Sequence, residues 1–141
     1  MEKTLSIVKP DGVKKNLIGE VLRIFEQNGL RIAALKMLAL TKDEAKGFYI
    51  VHKERPFYES LTSFMSEGPI VVMVVEGENA INKVREIMGA TDPKEAAPGT
   101  IRAGFASDLE HNIVHGSDSK ESAYYEIGFF FSHLDIYPLA V

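Results

Sequence analysis

The run at residues 70–75 constrains the fold of this chain more than any other feature. It reads IVVMVV, which is unbroken in its apolar character and includes four valines. β-Branched side chains favour extended backbone, and a strand that is apolar at every position must be buried. The run therefore predicts a buried strand, and the fold must supply the layers that cover it.

Three further strands are predicted from shorter apolar runs. Residues 5–8 end at Lys9-Pro10-Asp11-Gly12, which has the composition of a turn. Residues 30–40 alternate enough to form a second strand, and residues 127–131 are expected to form the last one. With residues 70–75, these runs predict a sheet of four strands.

Helical patterns separate the predicted strands. The predicted helices cover residues 18–27, 41–51, a short stretch after 56, 80–88 and 118–126. The second of them opens with the capping box Thr41-Lys42-Asp43-Glu44. From Gly89 to about Asn112, regular structure fades into a long loop, and loops of such length in a compact domain tend to be functional.

The order of these elements suits an α+β sandwich built on a four-stranded, largely antiparallel sheet. The chain has 141 residues, of which 45% are hydrophobic, so we expect one domain over residues 1–141.

Composition excludes several classes of protein. A net charge of −4 argues against a general nucleic-acid binder, which needs excess basic charge. The chain has no cysteine, so neither disulfides nor thiolate metal ligands are available. Its first apolar stretch is too short for a signal peptide or a membrane span, and we therefore expect a cytoplasmic protein with no membrane partner.

The segment at residues 112–126, NIVHGSDSKESAYYE, presents one histidine in an unusual setting. Gly116 removes bulk beside His115 and is expected to leave room for a molecule to approach the ring. Ser117 and its neighbours offer a helix cap and oxygens that could orient the ring. A nucleophilic imidazole needs its second nitrogen held by an acceptor, and Glu126 could supply one. The sequence equally allows Glu126 to be a solvated carboxylate at a helix end.

The spacing of His111 and His115 invites a metal interpretation. A zinc-protease motif requires a glutamate after the first histidine and both histidines on one helix. Here Asn112 follows His111, and the next two residues look extended. The pair therefore does not predict a zinc site, and His52 and His133 are interpreted as structural.

Basic residues indicate where an anion could bind. Lys9 closes a buried strand, Arg85 borders the apolar stripe of its helix, and Arg102 lies in the long loop. Together with Thr91 they would form a set of donors suited to a polyphosphate. The chain has neither a GxxxxGK[ST] loop nor a GxGxxG turn, so a nucleotide would not bind through those motifs.

A non-catalytic nucleotide- or RNA-binding module is the alternative. Lys46-Gly47-Phe48-Tyr49 partly matches the signature of the RNA-recognition motif, which shares the βαββαβ topology. The match fails at Tyr49 and Lys53, and the preceding capping box predicts helix where the motif requires a strand. Nucleic-acid binding is therefore not indicated.

Four separated blocks resemble the nucleoside diphosphate kinase family. They are the residues around His115, Lys9-Pro10-Asp11-Gly12, Arg55-Pro56-Phe57 and Pro98-Gly99-Thr100-Ile101-Arg102. The resemblance covers about residues 3–131. It implies a ferredoxin-like βαββαβ fold with an antiparallel sheet and ping-pong transfer of a γ-phosphoryl group, chiefly from ATP, to a nucleoside diphosphate.

The resemblance also implies roles for single residues. His115 would become phosphohistidine, and Glu126 with Ser117 would hold its other ring nitrogen. Lys9 and Tyr49 would lie beside the transferring group. The residues that would bind the nucleotide are Lys9, Phe57, Leu61, Arg85, Thr91, Arg102 and Asn112.

A cofactor and an assembly follow from the same resemblance. Mg²⁺ would be held mainly by the phosphates, with Asp118 contacting it through a water. Family members form hexamers or tetramers, in which the tail and the 89–99 loop take part. The short tail after Asp135 is closer to that of bacterial members, so a homo-tetramer is favoured over a hexamer.

Overall fold

The computed structural model describes residues 1–137, and its centre is an antiparallel sheet. Within these residues the sheet has four strands: β1 (Glu2–Val8), β2 (Arg31–Leu38), β3 (Ile70–Gly77) and β4 (Val114–Gly116). Their order in space is β2-β3-β1-β4, and each neighbouring pair is antiparallel. The predicted α+β class and ferredoxin-like topology are confirmed.

Seven α-helices surround the sheet in the described part of the chain. They are α1 (Pro10–Lys14), α2 (Ile18–Gln27), α3 (Lys42–Phe48), α4 (Tyr58–Met65), α5 (Ala80–Met88), α6 (Ile101–Phe105) and α7 (Lys120–Phe130). The predicted bounds of α2 and α5 are matched to the residue. The capping box of α3 is also present, since Thr41 Oγ1 accepts from Glu44 N and Glu44 Oε1 accepts from Thr41 N.

Helices cover both faces of the sheet, which explains the apolar run in β3. Val72 and Val74 face a core that includes Phe64 from α4 and Phe130 from α7. Val71, Met73 and Val75 face a second core, built largely with side chains of α2 and α5. Every residue of β3 is buried, so alternation between polar and apolar positions is absent from its sequence.

The last predicted strand, at residues 127–131, is wrong. Helix α7 starts at its N-cap Ser119 and continues to Phe130, because its aromatic end packs into the core beside Phe48 and Phe64. The edge of the sheet next to β1 is taken by β4 instead. Glu126 consequently lies inside α7, four residues before its end, and not at a helix terminus.

Other predicted boundaries also need correction. The segment after Lys9 was predicted to be a turn, but Pro10 opens α1, where its missing N–H costs nothing. Helix α3 ends at Phe48 and a 3₁₀ turn at Ile50–His52 follows it, so the helix does not continue to residue 51. The long loop contains α6, whose N-cap is Thr100.

Statements about the tail and about membrane-spanning helices apply only to residues 1–137. Residues 138–141, part of the tail that favoured a tetramer, lie outside the described residues. None of the described helices is long and apolar enough to span a membrane.

Gly12 provides a stability test of the contact between α1 and the β4 region. A Cβ atom there would lie 2.8 Å from Val8 Cγ1 and 3.1 Å from both Ile113 Cγ2 and Ile113 O. We expect Gly12→Ala to lower the free energy of unfolding by about 1–3 kcal/mol through overpacking. Urea denaturation would measure the change.

Gly19→Ala is the matched control, because Gly19 is also helical and has nothing within 4 Å of an added Cβ. This control should raise the free energy of unfolding by roughly 0.5–1 kcal/mol through the higher helix propensity of alanine. Equal effects of the two substitutions would contradict the packing argument.

Candidate active site

One cavity of about 570 Å³ brings together nearly all the residues singled out from the sequence. Its lining includes His115, Glu126, Lys9, Tyr49, Phe57, Leu61, Arg85, Thr91, Arg102, Asn112 and Asp118. Ser117 is the exception, since it is buried behind the cavity wall. The predicted residues therefore share one site in the folded chain, although they come from positions more than a hundred residues apart.

His115 is held by a hydrogen bond from its ring to α7. It lies on β4 opposite Ile7, and its Nε2 is 2.7 Å from Glu126 Oε1. The side chains of His115 and Glu126 are 18% and 13% exposed, so Glu126 is not a solvated helix-end carboxylate. A carboxylate accepts, which places the ring hydrogen on Nε2 and leaves Nδ1 with a free lone pair.

Ser117 supports Glu126 from below. Its Oγ donates to Glu126 Oε1 at 2.8 Å and accepts from Leu5 N at 3.3 Å. Through this hydroxyl, the carboxylate that orients the imidazole is connected to the backbone of β1.

Aromatic rings fix the imidazole from the side. The ring of Phe48 meets that of His115 edge-on at 5.4 Å between centroids, and Tyr49 does so at 5.9 Å. Phe48 was not predicted to belong to the site, because a buried aromatic on α3 is indistinguishable from ordinary core in sequence.

The space beside the ring is not created by Gly116. A Cβ at Gly116 would meet Met88 Sδ at 2.8 Å and Val84 Cγ1 at 3.1 Å, both on α5. The glycine therefore lets β4 approach α5, and the prediction that it gives clearance to a visiting group is wrong.

Lys9 is a buried cation at the base of the cavity. Its Nζ donates to Asn112 Oδ1 at 2.7 Å. Burial lowers the pKa of Lys9 to about 8, helped by the positive charge of Arg102 and partly opposed by Asp11 and Glu110. The side chain can therefore gain or lose its charge close to neutral pH.

Arg102 is tied to the backbone around the cavity. Its guanidinium donates to Val114 O at 2.8 Å, to Gly89 O at 3.1 Å and to Asn112 O at 3.3 Å. Burial, and then the charge of Arg85, lower the pKa of Arg102 to about 10. This arginine connects the long loop to β4 and still adds positive charge to the cavity.

Tyr49 presents a neutral hydroxyl. The pKa of Tyr49 is raised well above its usual range by burial, and secondly by the charge of Glu126. Its buried hydroxyl has no hydrogen-bond partner among residues 1–137. Since buried polar groups are normally satisfied, this hydroxyl is suited to bond to a ligand.

Aromatic side chains lie at the exposed part of the cavity. Phe57 is 45% exposed there, and its ring lies 5.4 Å from that of His52, which also stacks on Tyr49. Sequence reasoning missed His52 in this role, together with Leu109 and Glu110, which also line the cavity. No local pattern marks them, because they meet only after folding.

The candidate metal ligands are sparse. Asp118 is exposed and its Oδ1 accepts from Ser122 Oγ at 2.7 Å, a bond that holds the pKa of Asp118 below its usual value. No group of three His, Cys, Asp or Glu residues able to hold a metal occurs within residues 1–137. His111 lies outside the cavity lining, where it pairs with Asp108 at 3.1 Å.

The RNA-binding alternative lacks its stacking surface in this structure. Phe48, its candidate aromatic, is 3% exposed and belongs to α3. Stacking aromatics of that module stand on an open sheet face.

Comparisons with known proteins identify a family to which nearly the whole length of the described chain is similar. The family model described as nucleoside diphosphate kinase matches residues 2–136. Relatives of that name from Desulforapulum autotrophicum and Campylobacter concisus are each 62% identical over 136 residues, which cover 96% of this chain and 99% of theirs.

Solved structures of two nucleoside diphosphate kinases have the same fold as this chain. The nucleoside diphosphate kinase of Aquifex aeolicus superposes with a TM-score of 0.94 at 54% identity, over 96% of this chain and 98% of that one. The enzyme from Halobacterium salinarum in complex with CDP has a TM-score of 0.94 at 39% identity, over 99% of this chain and 93% of that one.

The depressed pKa of Lys9 predicts how anion binding depends on pH. Below about pH 8 Lys9 is an ammonium that attracts a polyphosphate, and above that pH the unliganded protein must take up a proton to bind. The affinity for ADP should therefore fall above about pH 8, by up to roughly tenfold per pH unit. Calorimetric titration between pH 6.5 and 9.5 would measure it.

Lys9→Gln provides the comparison, since its side chain carries no charge at any pH. This variant should bind ADP more weakly at pH 7 and lose most of the dependence above pH 8. If the affinity for ADP fell equally above pH 8 in both proteins, Lys9 would be excluded as the cause of the pH dependence.

Proposed function

The chain belongs to the nucleoside diphosphate kinase family, and from that membership we propose how its cavity residues carry out the reaction. Such an enzyme moves the γ-phosphoryl group of a nucleoside triphosphate to a nucleoside diphosphate in two half-reactions through a phosphohistidine. A covalent intermediate of this kind lets donor and acceptor use the same site in turn.

His115 is the proposed nucleophile, and Nδ1 the attacking atom. The single observation that supports this most directly is the 2.7 Å contact between Nε2 and Glu126 Oε1, which occupies the other ring nitrogen. The Nδ1 lone pair would form a bond to the γ-phosphorus while the bond from that phosphorus to the β,γ-bridging oxygen breaks. The nucleoside diphosphate leaves with the electron pair, and Glu126 stabilises the positive charge on the ring.

The phosphates are proposed to lie against the cationic wall of the cavity. Lys9, Arg85 and Arg102 supply charge there, and Thr91 and Tyr49 supply hydroxyl groups. Phosphoryl transfer needs in-line positioning and donors for the equatorial oxygens more than it needs proton transfer. This set of donors also explains how an acidic protein captures a polyanion.

The nucleoside is proposed to extend towards the cavity mouth. Asn112 with Lys9 would bind the ribose hydroxyls, Phe57 would stack on the base, and Leu61 would lie nearby. Every base has a π-face, so stacking tolerates all of them. The expected result is transfer between nucleotides with little dependence on the base.

A divalent cation accompanies nucleotides in kinases of this type, and we propose Mg²⁺. The residues fit an ion that arrives on the polyphosphate, because the three carboxylates of the cavity lining, Glu110, Asp118 and Glu126, do not form a metal-binding group within residues 1–137. Asp118 would contact the ion through a water. The ion would offset phosphate charge, while the residues of the chain orient the nucleotide.

A homo-oligomer is proposed, and the short tail after Asp135, which is closer to that of bacterial members, is the reason for favouring a tetramer over a hexamer. Strand β2 is an outer strand of the sheet, and its Leu35 and Met37 are 50% and 57% exposed. Exposed apolar side chains on an outer strand favour contact with another copy. Light scattering on the purified protein gives the mass of the assembly directly.

One domain over residues 1–141 is likewise proposed, and the cytoplasmic location stays a prediction.

Phosphoenzyme labelling tests the nucleophile. Incubation with γ-labelled ATP should give an acid-labile, alkali-stable phosphoenzyme, and His115→Ala should abolish it. Conversion of GDP to GTP in a coupled assay should fall by several orders of magnitude in the same variant, as expected when a nucleophile is removed. Labelling of His115→Ala at the wild-type level would refute the mechanism, and nucleotide binding without turnover by wild type would favour the non-catalytic module.

Removal of divalent ions tests the cofactor. With excess EDTA the exchange activity should be lost, and added Mg²⁺ should restore it. Asp118→Asn should raise the Mg²⁺ concentration for half-maximal activity by only a few-fold, because the phosphates hold most of the ion. Activity that persists in EDTA would rule out the requirement.

A further inference from the structure

Ile113 has a strained backbone between two residues of the site. Its φ is 75°, in the left-handed region that β-branched residues rarely adopt. Val114 N donates to Asn112 O at 2.8 Å, which closes a three-residue γ-turn centred on Ile113. A γ-turn with positive φ is the rare and strained kind, and such a conformation persists only where surrounding contacts hold it.

The contacts that hold this turn come from the segment after β1. Lys9 N donates to Ile113 O at 2.8 Å, and Ile113 N donates to Asp11 Oδ2 at 3.1 Å. Gly12 leaves the space the turn occupies, since a Cβ there would lie 3.1 Å from Ile113 O. Both backbone polar groups of Ile113 are thus bonded to a segment about a hundred residues away in sequence.

The position of Asp11 lowers the stability of the folded protein. Its Oδ1 is buried and has no hydrogen-bond partner within residues 1–137. A buried oxygen without a partner lowers stability, so folding alone is a poor reason for a carboxylate here. The bond from its other oxygen to the Ile113 turn provides a better reason.

The turn sets the geometry of the residues on either side of Ile113. Asn112 is its first residue and accepts from Lys9 Nζ, and His115 directly follows its last residue, Val114. If Ile113 relaxed to an ordinary φ, the chain would change direction between Asn112 and His115. The ribose-binding group and the nucleophile would then lose their relative placement.

We propose that Asp11 is a positioning residue for phosphoryl transfer. Its carboxylate holds the strained γ-turn at Ile113 and so places Asn112 and His115 correctly within the cavity. Asp11 acts through the backbone and touches neither nucleotide nor reacting atoms. The inference rests on the proposed function, in which His115 carries the phosphoryl group.

The first experiment asks whether Asp11 is needed as a hydrogen-bond acceptor or as a negative charge. In Asp11→Ala, kcat for GDP conversion should fall at least tenfold and KM should rise, whereas loss of folded protein would lower kcat alone. Asp11→Asn keeps a carbonyl oxygen that can accept from Ile113 N, so its kcat should stay within threefold of wild type at pH 6.5, well below the pKa of Lys9, to which the charge of Asp11 contributes. Asp43→Ala is the matched control, since Asp43 lies in the first turn of α3 as Asp11 lies in that of α1, and it should change nothing.

The second experiment tests the strain directly. Glycine adopts a φ of 75° without penalty, so in an Ile113→Gly background the additional substitution Asp11→Ala should lower kcat less than threefold. Thermal melts would set a temperature at which all variants are folded. If Asp11→Ala does not fold, Asp11→Ser replaces it, because its hydroxyl is too short to reach Ile113 N.

Either of two results would overturn the proposal. One is an equal cost of Asp11→Ala in the wild-type and Ile113→Gly backgrounds, and the other is an Asp11→Asn variant as slow as Asp11→Ala. Failure of the proposed function would be recognised separately, because His115→Ala would then still form the phosphoenzyme whatever the Asp11 variants do.

Discussion

The pairing of β4 with β1 is the interaction on which the site depends. Only three residue pairs form it, yet they place His115 opposite Ile7, beside the end of the strand that leads into Lys9. Ser117 continues the same contact through the carbonyl of Leu5, which accepts from Ser117 N at 3.0 Å. The proposed nucleophile His115, the buried Ser117 and the buried Lys9 are therefore all positioned by one short piece of sheet.

The elements that carry the core could be predicted from sequence, since burial leaves a periodic trace. Helices α2 and α5 show apolar stripes, and residues 70–75 of β3 are apolar at every position. Strand β4 has three residues, too few for any period to appear. Residues 127–131 include three phenylalanines in a row, which resembles a buried strand, but all of them except Phe131 belong to α7, whose aromatic end packs into the core.

The sequence predicted which residues form the candidate site better than it predicted the contacts that hold them. Residue types at Lys9, Arg102 and His115 pointed to a cationic cavity with one imidazole, and these residues do line a single cavity. Gly116 was expected to leave room for a ligand, because a sequence does not show that α5 packs against this glycine. The γ-turn at Ile113 could not be predicted either, since a positive φ at isoleucine opposes local preference and arises from tertiary contacts.

The three carbonyl contacts of Arg102 have a consequence for the energetics of catalysis. A guanidinium that is already bonded to the backbone does not have to be ordered when the anion arrives, so its charge has a fixed direction beforehand. Dipoles and charges that are oriented in advance need little reorganisation as charge shifts during a reaction, whereas water must reorient each time. In the proposed mechanism, the same bonds that connect a loop to a strand would reduce the reorganisation energy of each half-reaction.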